Sequence, residues 1–134
     1  MRAQVHSLGL DQLVTFCGVV TDPRSVLRAT DVVVLPSTQE GTPNVLIEAM
    51  ACGVVCVAPP SAGGNDLLAG GAGLVATSND ADELAAAVLR LWREPDLRNS
   101  IGAAATARAR QFDSEEVVER YTELYAAIQG PSGR

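Results

Sequence analysis

The stretch from Asp31 to Gly53 restricts this chain more than any other. It opens with five strand-type positions, Asp31-Val-Val-Val-Leu35, and changes abruptly to Pro36-Ser-Thr-Gln-Glu-Gly-Thr-Pro43. An apolar run followed by turn residues reads as a buried strand and the loop leaving its C-terminal end. The pattern changes again at Val45-Leu-Ile-Glu-Ala-Met-Ala51, a run of helix-compatible residues that Gly53 stops. Thr42 is placed to cap this helix, and Pro43 suits its first position, where the missing N–H would have no helical partner. Strand, glycine-bearing loop and helix in this order aim backbone N–H groups above the edge of a sheet. Phosphate is a common occupant of such a place.

Two carboxylates belong to the stretch. Glu40 lies in the loop, and Glu48 lies in the helix one turn beyond Asn44, on nearly the same face. Glu48 is the only charge between Val45 and Cys52, so the sequence predicts its partial burial, with hydrogen-bond donors to satisfy it. Carboxylates facing a phosphate would repel it, whereas sugar hydroxyls donate to them. A nucleotide sugar supplies phosphates and two sets of hydroxyls together.

Within EGTPNVLIEAMACG, the spacing of Glu40, seven residues and Glu48 resembles the donor-site signature of retaining glycosyltransferases with the GT-B fold, the sucrose-synthase-like family. The resemblance implies that Glu48 holds the ribose hydroxyls of a nucleotide and that Glu40 is the catalytic-site carboxylate beside the transferred sugar. Gly41, Thr42, Pro43, Asn44 and Val45 would form the cradle of amides for sugar and diphosphate. No metal or other cofactor is implied, since helix N–H groups position the phosphates; the nucleotide sugar is the substrate.

Composition sets wider limits. At 134 residues the chain is long enough for one domain that buries roughly two-thirds of its unfolded surface. The 47% of hydrophobic residues includes few aromatics, so the core must be built of Ala, Val and Leu. A net charge of −6 argues against nucleic acid as a partner. All ten basic residues are Arg. No apolar run reaches the roughly 20 residues that span a bilayer, and the first residues are not signal-like, so a cytoplasmic location is expected. Cys17, Cys52 and Cys56 each sit in an apolar run and read as small buried hydrophobes rather than metal ligands.

In chain order, Met1 to Leu8 reads as a helical fragment ended by Gly9, with His6 on its surface, and Leu13 to Cys17 reads as a strand. Asp22 is placed to cap a short helix that Pro23 opens, and the resemblance adds a base contact through Val20 and Asp22. Arg24 suits either a phosphate contact or plain surface. Val54 to Ala58 reads as a strand and Pro59 to Asp66 as a glycine-bearing loop. In the family such a loop approaches the donor sugar, which implicates Gly63 and Gly64; the family's Glu is here replaced by Asp66. Leu74 to Ala76 reads as a last short strand. Helices are predicted over Asp82–Arg93 (capped by Asp80), Leu97–Phe112 and Ser114–Ile128. Their buried faces would carry Leu84, Val88, Leu91 and Trp92 in the first, and Val117, Tyr121, Leu124, Tyr125 and Ile128 in the last.

The fold class is therefore α/β: a Rossmann-like parallel sheet of about four strands with flanking helices, followed by C-terminal helices. Residues 1–129 form this unit and residues 130–134 a frayed tail. The resemblance covers the later part of a donor-binding domain. It implies transfer of a sugar from a UDP-, GDP- or ADP-sugar to an acceptor hydroxyl with retention. The acceptor domain, which could engage a lipid at a membrane surface, would be supplied by a missing portion or a partner chain. A non-catalytic nucleotide-sugar-binding or subunit-association module is the alternative. Either way, exposed apolar surface favours homo-oligomers.

Overall fold

The computed structural model describes residues 1–39 and 41–129. Its centre is a three-stranded parallel sheet in the order β1 (Val32–Val34), β2 (Val55–Ala58), β3 (Leu74–Val75). Val32 pairs with Val55 and Val34 with Val57, while Val57 and Ala58 pair onward with Leu74 and Val75. Parallel neighbours need a crossover. Helix α3 (Asn44–Ala51) links β1 to β2, and α4 (Ala62–Leu67) with a 3₁₀ turn at Ala69–Gly71 links β2 to β3.

β2 is buried along its whole length, and its side chains alternate between two cores. Cys56 and Ala58 face Leu46, Ala49 and Met50 of α3, Leu67 of α4, and Ala105 and Ala109. Val55 and Val57 face Leu84, Leu91 and Ile101 on the other side. The latter residues come from α5 (Ala81–Arg93) and α6 (Pro95–Ala109). Two small helices precede the sheet, α1 (Arg2–Ser7) and α2 (Pro23–Arg28), and α7 (Ser114–Gln129) ends the described chain.

Glycine decides the tightest contact. Gly53 takes φ +74° just past the end of α3, a conformation that suits glycine at a helix C-terminus. Gly102 of α6 packs directly on the Gly53 carbonyl: a Cβ there would lie 2.6 Å from that oxygen.

Several expectations are corrected. Residues 13–17 form no strand: Leu13 sits in a turn with its N–H on the Leu10 carbonyl, among the described residues β1 pairs with β2 alone, and Leu13 is 80% exposed. Among the described residues, three strands stand where about four were expected. Gly63 and Gly64 lie in the first turn of α4, not in a loop, because Ser61 starts a helix there: its Oγ accepts the Gly64 N–H at 3.0 Å. Trp92 is 69% exposed, since it lies well round the helix from the Leu84–Leu91 line. The stripe of Tyr121, Leu124, Tyr125 and Ile128 on α7 is exposed because no described element covers it, and Cys17 is exposed for want of a sheet around it. Cys56 is the buried cysteine; burial pushes its thiol up to about 12. The tail, 130–134, lies outside the described residues.

Candidate functional site

All three strands run parallel, so their C-terminal ends share one edge of the sheet. The loop after β1, the start of α3 and the start of α4 gather there. In open parallel sheets this is the edge at which ligands bind.

α3 begins differently from the sequence-based expectation. Pro43 is its N-cap residue, with φ −74° and ψ 102°, so the capping role read for Thr42 falls away. The Leu46 N–H turns back to the Pro43 carbonyl at 3.0 Å. Leu46, Ala49 and Met50 are inserted in the core, so the opposite face, carrying Asn44 and Glu48, is exposed. The partial burial expected for Glu48 is thereby corrected. A lone charge in an apolar helix stays in solvent when the helix is short and only one side meets the sheet.

Glu48 instead lines an open groove between α3 and α2, with a volume of about 420 Å³. Asp22, Arg24 and Arg28 stand on its far wall and Ile47 on its near one. Asp22 performs the capping role read for it, with Oδ1 accepting the Arg24 N–H at 3.2 Å and its carbonyl accepting the Ser25 hydroxyl. Its carboxylate still borders the groove. Arg24 and Arg28 make no ion pair with Glu48 among the described residues. The groove therefore offers two carboxylate acceptors and two guanidinium donors to the same occupant. Val20 is half-buried in the segment leading to it.

A second cleft, about 310 Å³, lies on the other side of the approach to α3. Gly41, Thr42, Gly63 and Asp66 meet there, together with Arg108, Gln111 and Phe112 from the end of α6 and beyond. Asn44 and Val45 are the first residues of α3, and both are exposed. Gly64 is buried under α4, where a Cβ would come within 2.6 Å of Ser61 Oγ and 3.7 Å of Ala58 Cβ, so it serves packing. Glu40 lies outside the described residues.

A further cavity, about 450 Å³, is at the opposite end of the strands. Thr30, Asp31, Gly53 and Val54 lead into β1 and β2 there, and Arg98 sits 3.8 Å from Asp31. It collects none of the predicted site residues, and it lies by the C-terminal ends of α2 and α3.

Sequence reasoning missed Arg28 and Arg108. Arg28 had a signal, since it follows Arg24 by four residues on a helix. Arg108 had none, because its partners are the carbonyls of Leu67 and Asp66, more than forty positions away.

The model of the family described as "Glycosyl transferases group 1" matches residues 1–94. The chain belongs to the group 1 glycosyl transferases. Among relatives, it is 34% identical over 140 residues to D-inositol 3-phosphate glycosyltransferase of Corynebacterium jeikeium, an alignment covering 99% of this chain and 32% of that protein. It is 29% identical over 123 residues to N-acetyl-alpha-D-glucosaminyl L-malate synthase of Bacillus anthracis, covering 90% of this chain and 32% of that protein. Among solved structures it superimposes on Anabaena HepE in complex with UDP, with a TM-score of 0.88 and 29% identity over 94% of this chain and 35% of that one. HepE has also been solved with UDP-glucose. The chain thus spans about a third of the length of the glycosyl transferases it matches. Its sheet and helices reproduce the corresponding part of the GT-B architecture.

Proposed function

We propose that this chain forms the donor-binding portion of a glycosyltransferase that takes a sugar from a nucleoside diphosphate sugar and passes it, with retention, to an acceptor hydroxyl. One observation carries the reading. The candidate residues divide between two clefts: Glu48 and Asp22 line one, along α3 and α2, and Gly41, Thr42 and Gly63 line the other, just before α3 and at the start of α4. A nucleotide sugar divides in the same way, with a nucleoside at one end, a sugar at the other, and a diphosphate between.

In this reading Glu48 accepts from the ribose hydroxyls. Its exposure in an open groove suits a carboxylate whose donors arrive with the ligand. The first amides of α3 meet the diphosphate, as helix N-termini do for anions, and no metal is required. Glu40 stands beside the transferred sugar. The bond from the anomeric carbon to the diphosphate oxygen breaks, and the bond to the acceptor oxygen forms on the same face. The departing diphosphate takes the acceptor's proton. The remainder of a complete enzyme, in the same chain or in a partner, supplies the acceptor site. The cytoplasm is the compartment proposed. Among the described residues no helix is long and apolar enough to cross a membrane.

Calorimetric titration with UDP, GDP and ADP, beside Glu48→Ala, tests the proposal. Saturable binding of one nucleotide, weakened tenfold or more in the variant, is expected. A folded chain that binds none of them would refute it.

A further inference from the structure

Arg108 is tied down on one edge only. Its Nε donates to the Leu67 carbonyl at 2.8 Å, and one Nη2 hydrogen goes to the Asp66 carbonyl. These are carbonyls at the C-terminal end of α4, where helical partners run out. Capping α4 accounts for two of the five guanidinium donors. Of the other three, two lie along the Nη1–Nη2 edge, whose parallel N–H groups match two oxygens of a phosphate.

The surroundings of the guanidinium leave that edge a use. Arg108 lines the cleft that also holds Gly41, Thr42, Gly63 and Asp66, and none of the ion pairs among the described residues involves it, with Asp66 or any other acid. The positive charge is half-buried and fixed by its carbonyl bonds, so an anion entering would find a donor pair already oriented. Pre-orientation of this kind lowers the entropy lost on binding.

We propose that Arg108 is a diphosphate-contacting residue of the donor cleft, with its Nε–Nη2 edge holding α4 and its Nη1–Nη2 edge receiving the outer phosphate. The inference rests on the donor-site reading above and adds a residue from α6 that the motif around α3 does not contain.

The test is titration of the unaltered chain, Arg108→Ala and Arg108→Lys with UDP against UMP, GDP against GMP, and ADP against AMP. For the base that binds, Arg108→Ala should lower diphosphate affinity about tenfold and monophosphate affinity less than twofold. Arg108→Lys keeps the charge but not the fork, and should lose at least threefold of the preference for diphosphate. Equal losses for both nucleotides would mean that Arg108 only braces α4, and would overturn the proposal; so would no loss for either. If Arg108→Ala does not fold, the lysine variant decides, and an unchanged preference there overturns it. No nucleotide bound by the unaltered chain would overturn the donor-site reading, and this inference with it.

Discussion

Replacing Gly102 by alanine tests the packing that sets the position of α3. In the middle of an ordinary helix, glycine to alanine stabilises by about 1 kcal/mol, because alanine loses less backbone entropy. Here the added Cβ would stand 2.6 Å from the Gly53 carbonyl oxygen, 3.6 Å from the carbonyl carbon, and 4.0 Å from Val55 Cγ2. The first contact is against backbone, and that backbone is held at φ +74°, so no side-chain rotation relieves it. α6 must move away from the turn between α3 and β2. Overpacking of this kind costs roughly 1–3 kcal/mol, and a backbone clash belongs at the upper end. The propensity gain offsets about 1 kcal/mol of it, leaving a net loss of about 2 kcal/mol. For a chain of this size that corresponds to a fall in Tm of roughly 6–8 °C. Urea and thermal unfolding followed by circular dichroism measure it. Ala103→Gly, one position along and exposed, serves as the control and should lose about 1 kcal/mol. A Gly102→Ala protein that melts at or above the parent temperature would refute the reasoning.

Two further predictions concern stability. The Cys56 thiol, raised to about 12 by burial, keeps its proton in the folded chain while the unfolded chain ionises near pH ~8.5. Stability from this group is therefore complete below that pH and declines as pH rises toward 12, by about 1.4 kcal/mol per unit. Urea midpoints at pH 8, 9 and 10 should fall more steeply for the parent than for Cys56→Ala, and parallel slopes would contradict the assignment. Ser61→Ala removes the acceptor of the Gly64 N–H and should cost about 1 kcal/mol, read as a lower urea midpoint with an unchanged slope.

Much of this structure was legible because the decisive signals are local. Pro36 and Gly53 punctuate the strand, loop and helix around them, and Asp22 followed by Pro23 announces the start of α2. What failed was non-local. Residues 13–17 have strand composition, but a strand exists only with a partner, and composition does not say where the partner is. The α7 pattern states which face is apolar and not whether anything covers it. Glu48 is different, since a signal for it was present. On the helical wheel it stands opposite Leu46 and Met50, and that geometry outweighs the apolar average of its helix. Arg108 could not be found by spacing at all, because its carbonyl partners belong to another crossover of the fold.

These failures and successes meet in α3. Its inner face is fastened by Leu46, Ala49 and Met50, and its far end is held by the contact of Gly53 with Gly102. The outer face is then free to carry Asn44 and Glu48 without any part in folding. α4 is treated likewise: Ser61 caps its start, the buried Gly64 seats it on β2, and Arg108 closes its end. The walls of the candidate site thus rest on apolar packing, glycine contacts and helix caps, in which Asn44 and Glu48 take no part. A site built in this way separates stability from recognition. Substitutions at Glu48 should leave the melting temperature alone, whereas those at Gly102 should change it without touching a ligand. Arg108, like Asp22, belongs to both sets, with one edge in the scaffold and the other in the cleft. This is why its variants must be judged by the ratio of diphosphate to monophosphate affinity and not by either alone.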